Sequence, residues 1–196
     1  MNLANKITIL RIFMVPVFMT FLLVKVIPYG ELWAAVIFIL AAATDSLDGY
    51  IARKQESITR LGKLMDPLAD KLLISAALIS LVGLGTLSPW IAFLIISREF
   101  AVTGLRLIAA GEGIIIMANK WGKIKTLSQI VMVVTLIIET ALKTNLNFPL
   151  EWFKVLVAIY PASLVAYLAL LVAVIITIYS GFYYFYQNKN LINFSK

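Results

Sequence analysis

The sequence predicts an all-α polytopic membrane protein, in which residues 1–196 form a single membrane domain. Six transmembrane helices are expected, preceded by a short N-terminal interfacial segment. Hydrophobic residues make up 62% of the chain and charged residues only 14%, whereas a soluble domain carries about 25% charged residues. The mean hydropathy is +0.96. Apolar stretches of about 20 residues recur, and each is long enough to cross roughly 30 Å of hydrocarbon as a helix.

The first half of the chain is predicted to hold three spans. Residues 1–8 are interpreted as the interfacial segment, in which Asn5 or Thr8 is the expected helix N-cap. A turn with proline and glycine at 28–30 separates the first two spans. The third span is expected to open with Asp66 and Pro67, because proline suits a first helical turn. The predicted spans are about 9–28, 32–53 and 66–86.

The second half is predicted to hold three more spans. A tight turn at 83–89 leads into the fourth span, and a loop at 111–122 leads into the fifth. Pro161 predicts a kink near the start of a long last span, and the aromatic residues at 179–186 are typical of a membrane interface. The predicted spans are about 89–109, 125–143 and 153–186.

The net charge of +7 is unevenly distributed, and its distribution predicts the orientation of the chain. Basic residues concentrate at the N-terminus, after the second span, around 106–125 and at the C-terminus. The opposite loops hold only Lys25, Lys143 and Lys154. Because loops rich in lysine and arginine stay in the cytoplasm, we expect both termini to be cytoplasmic.

All the aspartates of the chain lie within a stretch of 26 residues: Asp45, Asp48, Asp66 and Asp70. The first two are three residues apart and the last two are four apart, so each pair shares one face of its helix. If the second and third spans pack as an antiparallel pair, the four carboxylates converge at the cytoplasmic end. Such a cluster is costly at a membrane boundary, and bound divalent cations are the expected compensation.

The residue types in this region indicate which metals would bind. The chain has no cysteine and no histidine, which excludes thiol catalysis, disulfides, a histidine base and zinc sites built from thiolate or imidazole. Carboxylates suit Mg²⁺, Mn²⁺ or Ca²⁺, and two such ions can clamp a diphosphate. Gly49, Ala52 and Gly62 leave room for a ligand, although close helix packing or, at Gly62, a helix end would also explain them. A salt-bridge network is the alternative interpretation of the aspartates.

The spacing of these residues resembles the signature of the CDP-alcohol phosphatidyltransferase family. The chain reads Asp-x2-Asp-Gly-x2-Ala-Arg-x8-Gly-x3-Asp-x3-Asp, and its fixed positions are Asp45, Asp48, Gly49, Ala52, Arg53, Gly62, Asp66 and Asp70. The six predicted spans extend the resemblance over the whole chain. Segments at 5–11, 98–100 and 122–126 are similar to those of the bacterial family members that make phosphatidylglycerophosphate.

The resemblance implies a reaction and a set of site residues. The 1-hydroxyl of glycerol 3-phosphate attacks the lipid-side phosphorus of CDP-diacylglycerol, so that phosphatidylglycerophosphate forms and CMP leaves. Asp45, Asp48 and Asp66 would bind two Mg²⁺ or Mn²⁺ ions, with Asp70 as a further ligand or as the general base. We expect Asp70 to be the base, since a nearby metal acidifies the hydroxyl. The CDP pocket would be formed by Asp45, Asp48, Gly49, Ala52, Arg53 and Gly62.

The phosphate of the acceptor requires a basic pocket, because guanidinium and ammonium groups pair well with phosphate. The candidates are Arg11, Arg98, Arg106, Lys123 and Lys125. Arg98 and Arg106 are separated by about 80° around a helix, so both can line one broad face. An internal structural pair between Arg98 and Glu99 is an equally good interpretation of two charges within a span.

Two other functions remain open from the sequence. One is the same chemistry with inositol phosphate or serine as acceptor. The other is a divalent-cation carrier, although a carrier should have acids near mid-membrane in several spans, and here the aspartates gather at one end. The resemblance also implies a homodimer. The distribution of basic residues predicts that the active site lies on the cytoplasmic side of the bacterial cytoplasmic membrane. The substrates and the lipid bilayer are the other expected partners, and no nucleic acid is expected.

Overall fold

The computed structural model describes the backbone of residues 3–55, 60–111, 120–144 and 162–189, and their side chains except at 3–6, 45–55, 60–68, 70, 120 and 162. Within this part of the chain the residues form six helices and no strand. The helices are α1 (Leu3–Leu23), α2 (Gly30–Gln55), α3 (Arg60–Gly83), α4 (Pro89–Gly111), α5 (Lys120–Thr144) and α6 (Ala162–Gln187). Each of the six predicted spans overlaps one helix, and the all-α prediction is confirmed for the described residues.

The first helix begins earlier than predicted. Because α1 starts at Leu3, Asn5 and Thr8 lie inside the helix, and the prediction that either is its N-cap is wrong. The separate interfacial segment predicted over residues 1–8 is likewise part of α1 from Leu3 onward. Residues 3–8 contain neither glycine nor proline, and the Thr8 side chain is 1% exposed. Packing therefore holds these first turns in the helix.

The third helix also begins earlier than predicted. α3 starts at Arg60, so Pro67 is an internal residue and not a member of the first turn. An internal proline removes one backbone hydrogen bond, but membrane helices tolerate this where neighbouring groups satisfy the freed carbonyl. α1 contains Pro16 in the same way. Gly62 is also internal to α3, so a helix end does not explain that glycine.

Two predicted turns are confirmed. In the link between α1 and α2, Tyr29 adopts a left-handed φ of 56°, and the Gly30 amide donates to the Ile27 carbonyl over 3.1 Å. Between α3 and α4, Gly85 has a φ of 74°, a conformation that glycine adopts at no steric cost. The predicted kink at Pro161 lies outside the described residues.

One apolar core draws side chains from all six helices. Alanine recurs in it: Ala34, Ala35, Ala41, Ala76, Ala77, Ala92, Ala166 and Ala173. Small side chains let helix backbones approach closely, which is how helices commonly pack in lipid. Larger side chains fill the remaining space, as where Phe18 of α1 meets Phe38 of α2 with ring centroids 5.6 Å apart.

Contacts between helices define the arrangement of the bundle. α1 packs against α2 and α3, while α5 packs against α2, α3 and α6. α4 packs against α3 and α6. Arg98 of α4 contacts Ser180 of α6, and Arg106 contacts Tyr184 further along both helices. α4 and α6 therefore run parallel.

α5 runs in the opposite direction to α6. Trp121 of α5 meets Tyr179 of α6 edge-on, with ring centroids 4.8 Å apart. Further along α5, Gln129 donates to the Thr177 hydroxyl over 3.2 Å, and Thr177 precedes Tyr179 in α6. The N-terminal end of α5 and the C-terminal ends of α4 and α6 therefore meet at one end of the bundle.

The described surface of the bundle is rich in apolar side chains. Two described helices are long and apolar enough to cross a membrane, Trp121–Thr144 and Ser163–Gln187. Shorter apolar helical segments are Ile7–Leu23, Gly30–Thr44 and Lys71–Gly83. Large apolar side chains that are at least 66% exposed include Phe13, Trp90, Phe93 and Phe182. Together these features indicate a membrane protein.

Candidate functional site

The four aspartates lie on two consecutive helices. Asp45 and Asp48 belong to the last three turns of α2, and Asp66 and Asp70 belong to the first three turns of α3. Their side chains lie outside the described residues, as do the side chains of the other signature positions, Gly49, Ala52, Arg53 and Gly62. Among the described side chains, no group of three or more acidic residues could hold a metal ion. The predicted metal site therefore rests on these aspartates.

The path of the chain brings the two aspartate-bearing segments near each other. Four residues link Gln55, the last of α2, to Arg60, the first of α3, and such a link spans at most about 18 Å. α2 and α3 contact each other, and both contact α1 and α5. At a rise of 1.5 Å per residue, Asp48 lies about 10 Å before the end of α2 and Asp66 lies about 10 Å after the start of α3. The convergence of the four carboxylates stays a prediction, and this connection is compatible with it.

Three charged side chains meet between α4 and α5, and we call them the charge cluster: Arg98, Glu99 and Lys125. The Glu99 carboxylate accepts a hydrogen bond from the Lys125 ammonium, and its Oε1 lies 3.2 Å from Nη1 of Arg98. The three side chains are only 7–13% exposed. The internal pair of Arg98 and Glu99 that the sequence left as an alternative is therefore present, and it includes Lys125 as well.

Arg98 connects the charge cluster to α6. Its Nη2 donates to the Ser180 hydroxyl over 3.0 Å. Gly181 accommodates the arginine stem, since a Cβ at that position would lie 3.1 Å from Cγ of Arg98. The Nε of Arg98 is buried and has no hydrogen-bond acceptor among the described residues. Because a buried donor without a partner is costly, this guanidinium is suited to an anion.

Lys71 connects the charge cluster to the aspartate-bearing helix. It follows Asp70 in α3, and it lies close enough to Glu99 and Lys125 to interact with both electrostatically. α3 also packs against α4 and α5. The part of α3 that carries the last aspartate of the signature therefore lies beside the buried cations.

Arg106 is held separately from the charge cluster. It is exposed, and its Nε donates to the Tyr184 hydroxyl over 2.9 Å. Its guanidinium also lies 5.4 Å from the centroid of the same ring, within the range of a cation–π interaction. Arg98 and Arg106 both contact α6, so both lie on the side of α4 that packs against α6, and their role in a phosphate pocket stays a prediction.

The remaining predicted basic residues occupy other environments. Lys123 is exposed on α5, two residues before Lys125. Arg11 is 1% exposed on α1, a helix that packs against both α2 and α3. Five basic residues were predicted to bind the acceptor phosphate. Among the described contacts, two of them come together, Arg98 and Lys125, because both contact the Glu99 carboxylate.

Three residues in these contacts were missed by reasoning from the sequence: Ser180, Gly181 and Tyr184. Ser180 and Tyr184 are separated by 82 and 78 residues from their arginine partners, so no local pattern reveals the pairing. Tyr184 also lies within the aromatic run that predicted an interfacial belt. Its side chain is 6% exposed, whereas Tyr179 and Tyr186 in the same run are exposed as expected.

A family comparison covers both the aspartate segments and the charge cluster. The model of the CDP-alcohol phosphatidyltransferases matches residues 1–179 of the chain. The chain belongs to the CDP-alcohol phosphatidyltransferase family. The resemblance predicted from the signature is therefore confirmed, and the arginine partners Ser180 and Tyr184 lie just beyond the residues that this family's model matches.

Several bacterial proteins are similar to this member of the CDP-alcohol phosphatidyltransferase family. The CDP-diacylglycerol–glycerol-3-phosphate 3-phosphatidyltransferase of Bacillus subtilis is 46% identical over an alignment of 198 positions, which covers 95% of each chain. The protein of the same name from Rickettsia bellii is 34% identical over 185 residues, covering 94% of this chain and 93% of its own. A probable phosphatidylglycerophosphate synthase of Mycobacterium tuberculosis is 43% identical over 139 residues, covering 67% of this chain and 64% of its own.

Proposed function

We propose that this protein transfers the phosphatidyl group of CDP-diacylglycerol to the 1-hydroxyl of sn-glycerol 3-phosphate, giving phosphatidylglycerophosphate and CMP. The similarity to the Bacillus subtilis protein carries this proposal, because that protein is named for the reaction and 95% of each chain is aligned. The reaction also suits the location of the aspartates. One substrate is a lipid and the other is soluble in water, so the site must lie at a membrane boundary.

The reaction exchanges one phosphorus–oxygen bond for another. The hydroxyl oxygen of the acceptor bonds to the lipid-side phosphorus, the bond from that phosphorus to the bridging oxygen breaks, and CMP leaves with the electron pair. The hydroxyl proton passes to the carboxylate of Asp70, which is the general base in this proposal. The CDP pocket is assigned to the residues of the signature in α2 and α3: Asp45, Asp48, Gly49, Ala52, Arg53 and Gly62.

The donor set of the aspartate segments fits two Mg²⁺ or Mn²⁺ ions. Asp45, Asp48, Asp66 and Asp70 offer carboxylate oxygens, which these ions prefer. We assign the first three as ligands, with Asp70 beside them. When bound, the metals would supply positive charge at the diphosphate.

Arg98 and Lys125 are the groups that we assign to the acceptor phosphate. Both are largely buried, and Lys71 adds a third positive charge nearby. Among the described side chains Glu99 is the carboxylate that faces these cations. The excess of positive charge attracts a phosphate, and the Nε of Arg98, which has no acceptor among the described residues, offers it a donor. The remaining candidates for this pocket are Arg11, Arg106 and Lys123.

The same proposal places the protein in the bacterial cytoplasmic membrane as a six-span homodimer. Two helices of sufficient length and apolarity support a spanning topology, and the uneven distribution of basic residues supports cytoplasmic termini and a cytoplasmic active site. The exposed apolar side chains of the bundle offer surface to lipid and to a second copy.

CMP release by purified protein tests this function. CDP-diacylglycerol and Mg²⁺ or Mn²⁺ are supplied, and glycerol 3-phosphate, inositol phosphate and serine are offered separately. We expect release with glycerol 3-phosphate alone. Release with a different acceptor would support the transferase activity and refute glycerol 3-phosphate as the acceptor. Folded protein that releases no CMP under any condition would refute the transferase activity and favour a divalent-cation carrier.

The role of Asp70 is tested by Asp70→Asn, which keeps the shape of the side chain but removes its basicity. We expect turnover to fall by at least about a thousandfold, in the range of general-base catalysis, while CDP-diacylglycerol binding is largely retained. Binding is measured by titration with a radiolabelled lipid and turnover by CMP release. A parallel loss of binding and turnover would assign Asp70 to metal and nucleotide binding instead.

A further inference from the structure

Glu99 has no role in the reaction as proposed, yet it lies among the cations assigned to the acceptor phosphate. Its carboxylate accepts from Lys125, and its Oε1 lies 3.2 Å from Nη1 of Arg98. The side chain is 13% exposed, so bulk water screens it weakly. An anion that reaches these two cations therefore comes within a few Å of a resident carboxylate.

The charge balance of this region is favourable to a phosphate. Arg98 and Lys125 both contact Glu99, which leaves one positive charge of the charge cluster uncompensated among the described side chains, and Lys71 interacts with Glu99 as a further cation. Uncompensated charge is costly in a buried site. A phosphate monoester carries about one and a half to two negative charges near neutral pH, so it can compensate this excess. Without the Glu99 carboxylate the excess would grow by one charge.

The hydrogen-bonding capacity of the cations lets a phosphate bind without displacing Glu99. A lysine ammonium has three N–H donors and an arginine guanidinium has five. Glu99 and Ser180 are the described acceptors of Arg98, and its Nε has no acceptor among the described residues. A phosphate and the Glu99 carboxylate can therefore share the same cations, and the two anions then repel each other.

We infer that Glu99 is a positioning residue that limits how tightly the site holds the phosphate shared by acceptor and product. Phosphatidylglycerophosphate retains the phosphate of glycerol 3-phosphate, so a site that bound this group too tightly would retain the product. The Glu99 carboxylate opposes such retention while it holds Arg98 and Lys125 in place. This inference rests on the proposed function, because it assumes that the cations receive the acceptor phosphate.

Inhibition by inorganic phosphate in the Glu99→Gln variant tests the inference. Glutamine keeps the size of the side chain and removes its charge. We expect inorganic phosphate to inhibit CMP release about tenfold more strongly than in the wild type, since a nearby repulsive charge has been removed. The KM for glycerol 3-phosphate should fall by a similar factor, and the KM for CDP-diacylglycerol should not change. A purely structural Glu99 would give unchanged or weaker phosphate inhibition, and either result would overturn the inference.

A matched control is available on the same helix. Glu139 pairs with Lys143 at 2.7 Å, about 20 Å along α5 from Lys125 at 1.5 Å per residue. Glu139→Gln removes one charge from an ion pair outside the site, and phosphate inhibition should stay at the wild-type level. Stronger phosphate inhibition in both variants would show that the loss of a distant negative charge has the same effect, and it would overturn the role of Glu99.

Two further measurements keep the test decisive. If Glu99→Gln does not fold, Glu99→Asp replaces it in the test. Aspartate is shorter by one methylene group, so its carboxylate lies further from the cations. Phosphate inhibition should then be at least about twofold stronger than in the wild type. Unchanged or weaker inhibition in that variant would overturn the inference. Calorimetric titration with inorganic phosphate needs no turnover. Tighter phosphate binding by Glu99→Gln in a protein that lacks the transferase activity would support the site while refuting the proposed reaction.

Discussion

Lys123 and Lys125 are two residues apart, yet their side chains occupy opposite environments. Two residues correspond to about 200° around a helix, so that one side chain faces the bundle when the other faces away from it. Lys125 is 5% exposed and contacts Glu99, whereas Lys123 is exposed. The sequence could not rank these two lysines as phosphate ligands, because the choice depends on which face of α5 is covered.

The buried position of Lys125 leads to a prediction about the acceptor. In Lys125→Ala the KM for glycerol 3-phosphate should rise by about tenfold or more, because removal of one cation from a buried pair weakens the attraction for phosphate. The KM for CDP-diacylglycerol should change by less than about twofold, since we assign that substrate to the signature residues. Steady-state kinetics of CMP release give both values.

Lys143 supplies the control for this substitution. Like Lys125, it is a lysine of α5 that pairs with a glutamate, but its side chain is 66% exposed. Lys143→Ala should leave both KM values near those of the wild type. Equal effects of Lys125→Ala on the two substrates would remove Lys125 from the acceptor pocket.

At the scale of the helices, one buried aromatic pair lies in the contact between α1 and α2. Phe18 and Phe38 are both fully buried, and their rings meet at a tilted angle of 47°. Phe38→Ala should lower the free energy of unfolding by about 3 kcal/mol or more, because it leaves a cavity in a packed interior. Equilibrium unfolding in detergent measures the loss.

Phe93 on α4 provides the comparison, since its side chain is 66% exposed. Phe93→Ala should change the free energy of unfolding by less than about 0.5 kcal/mol, as is usual for surface positions. A similar loss in both variants would contradict the prediction that burial of Phe38 against Phe18 makes it the more important side chain.

Helix ends were harder to predict than helices. The apolar stretches indicated six helices, but α1, α3 and α5 each begin five or six residues before their predicted spans. A polar segment without a strong breaking signal can be helical or not, and burial of residues such as Thr8 decides between the two. Pro67 was expected to mark a helix start, and it lies inside α3 because the preceding turns are also helical.

At the scale of the whole molecule, the uneven distribution of basic residues predicts an orientation that labelling can test. The chain has no cysteine, so a single introduced thiol reports its own position. Ser88→Cys, in the exposed turn between α3 and α4, should react with a membrane-impermeant maleimide in intact cells. Gln187→Cys, at the exposed end of α6, should react only after the membrane is permeabilised. The reverse pattern would invert the topology.

The sequence by itself determined the class of the protein, the existence of its six described helices, and its family. These follow from local properties: apolar stretches long enough for a membrane, turn residues between them, and eight signature residues at fixed spacing. Local properties can be read along the chain because they do not depend on which helices become neighbours.

Only the tertiary structure decided which partners the basic residues contact and which of them are buried. It brought Lys125 to Glu99, Arg98 to Ser180, and Arg106 to Tyr184. Each of these contacts joins two different helices, so it depends on how the helices pack and which faces they bury. Burial then sets the strength of each charge interaction, since a cation that is removed from water interacts more strongly with its neighbours than one that remains exposed.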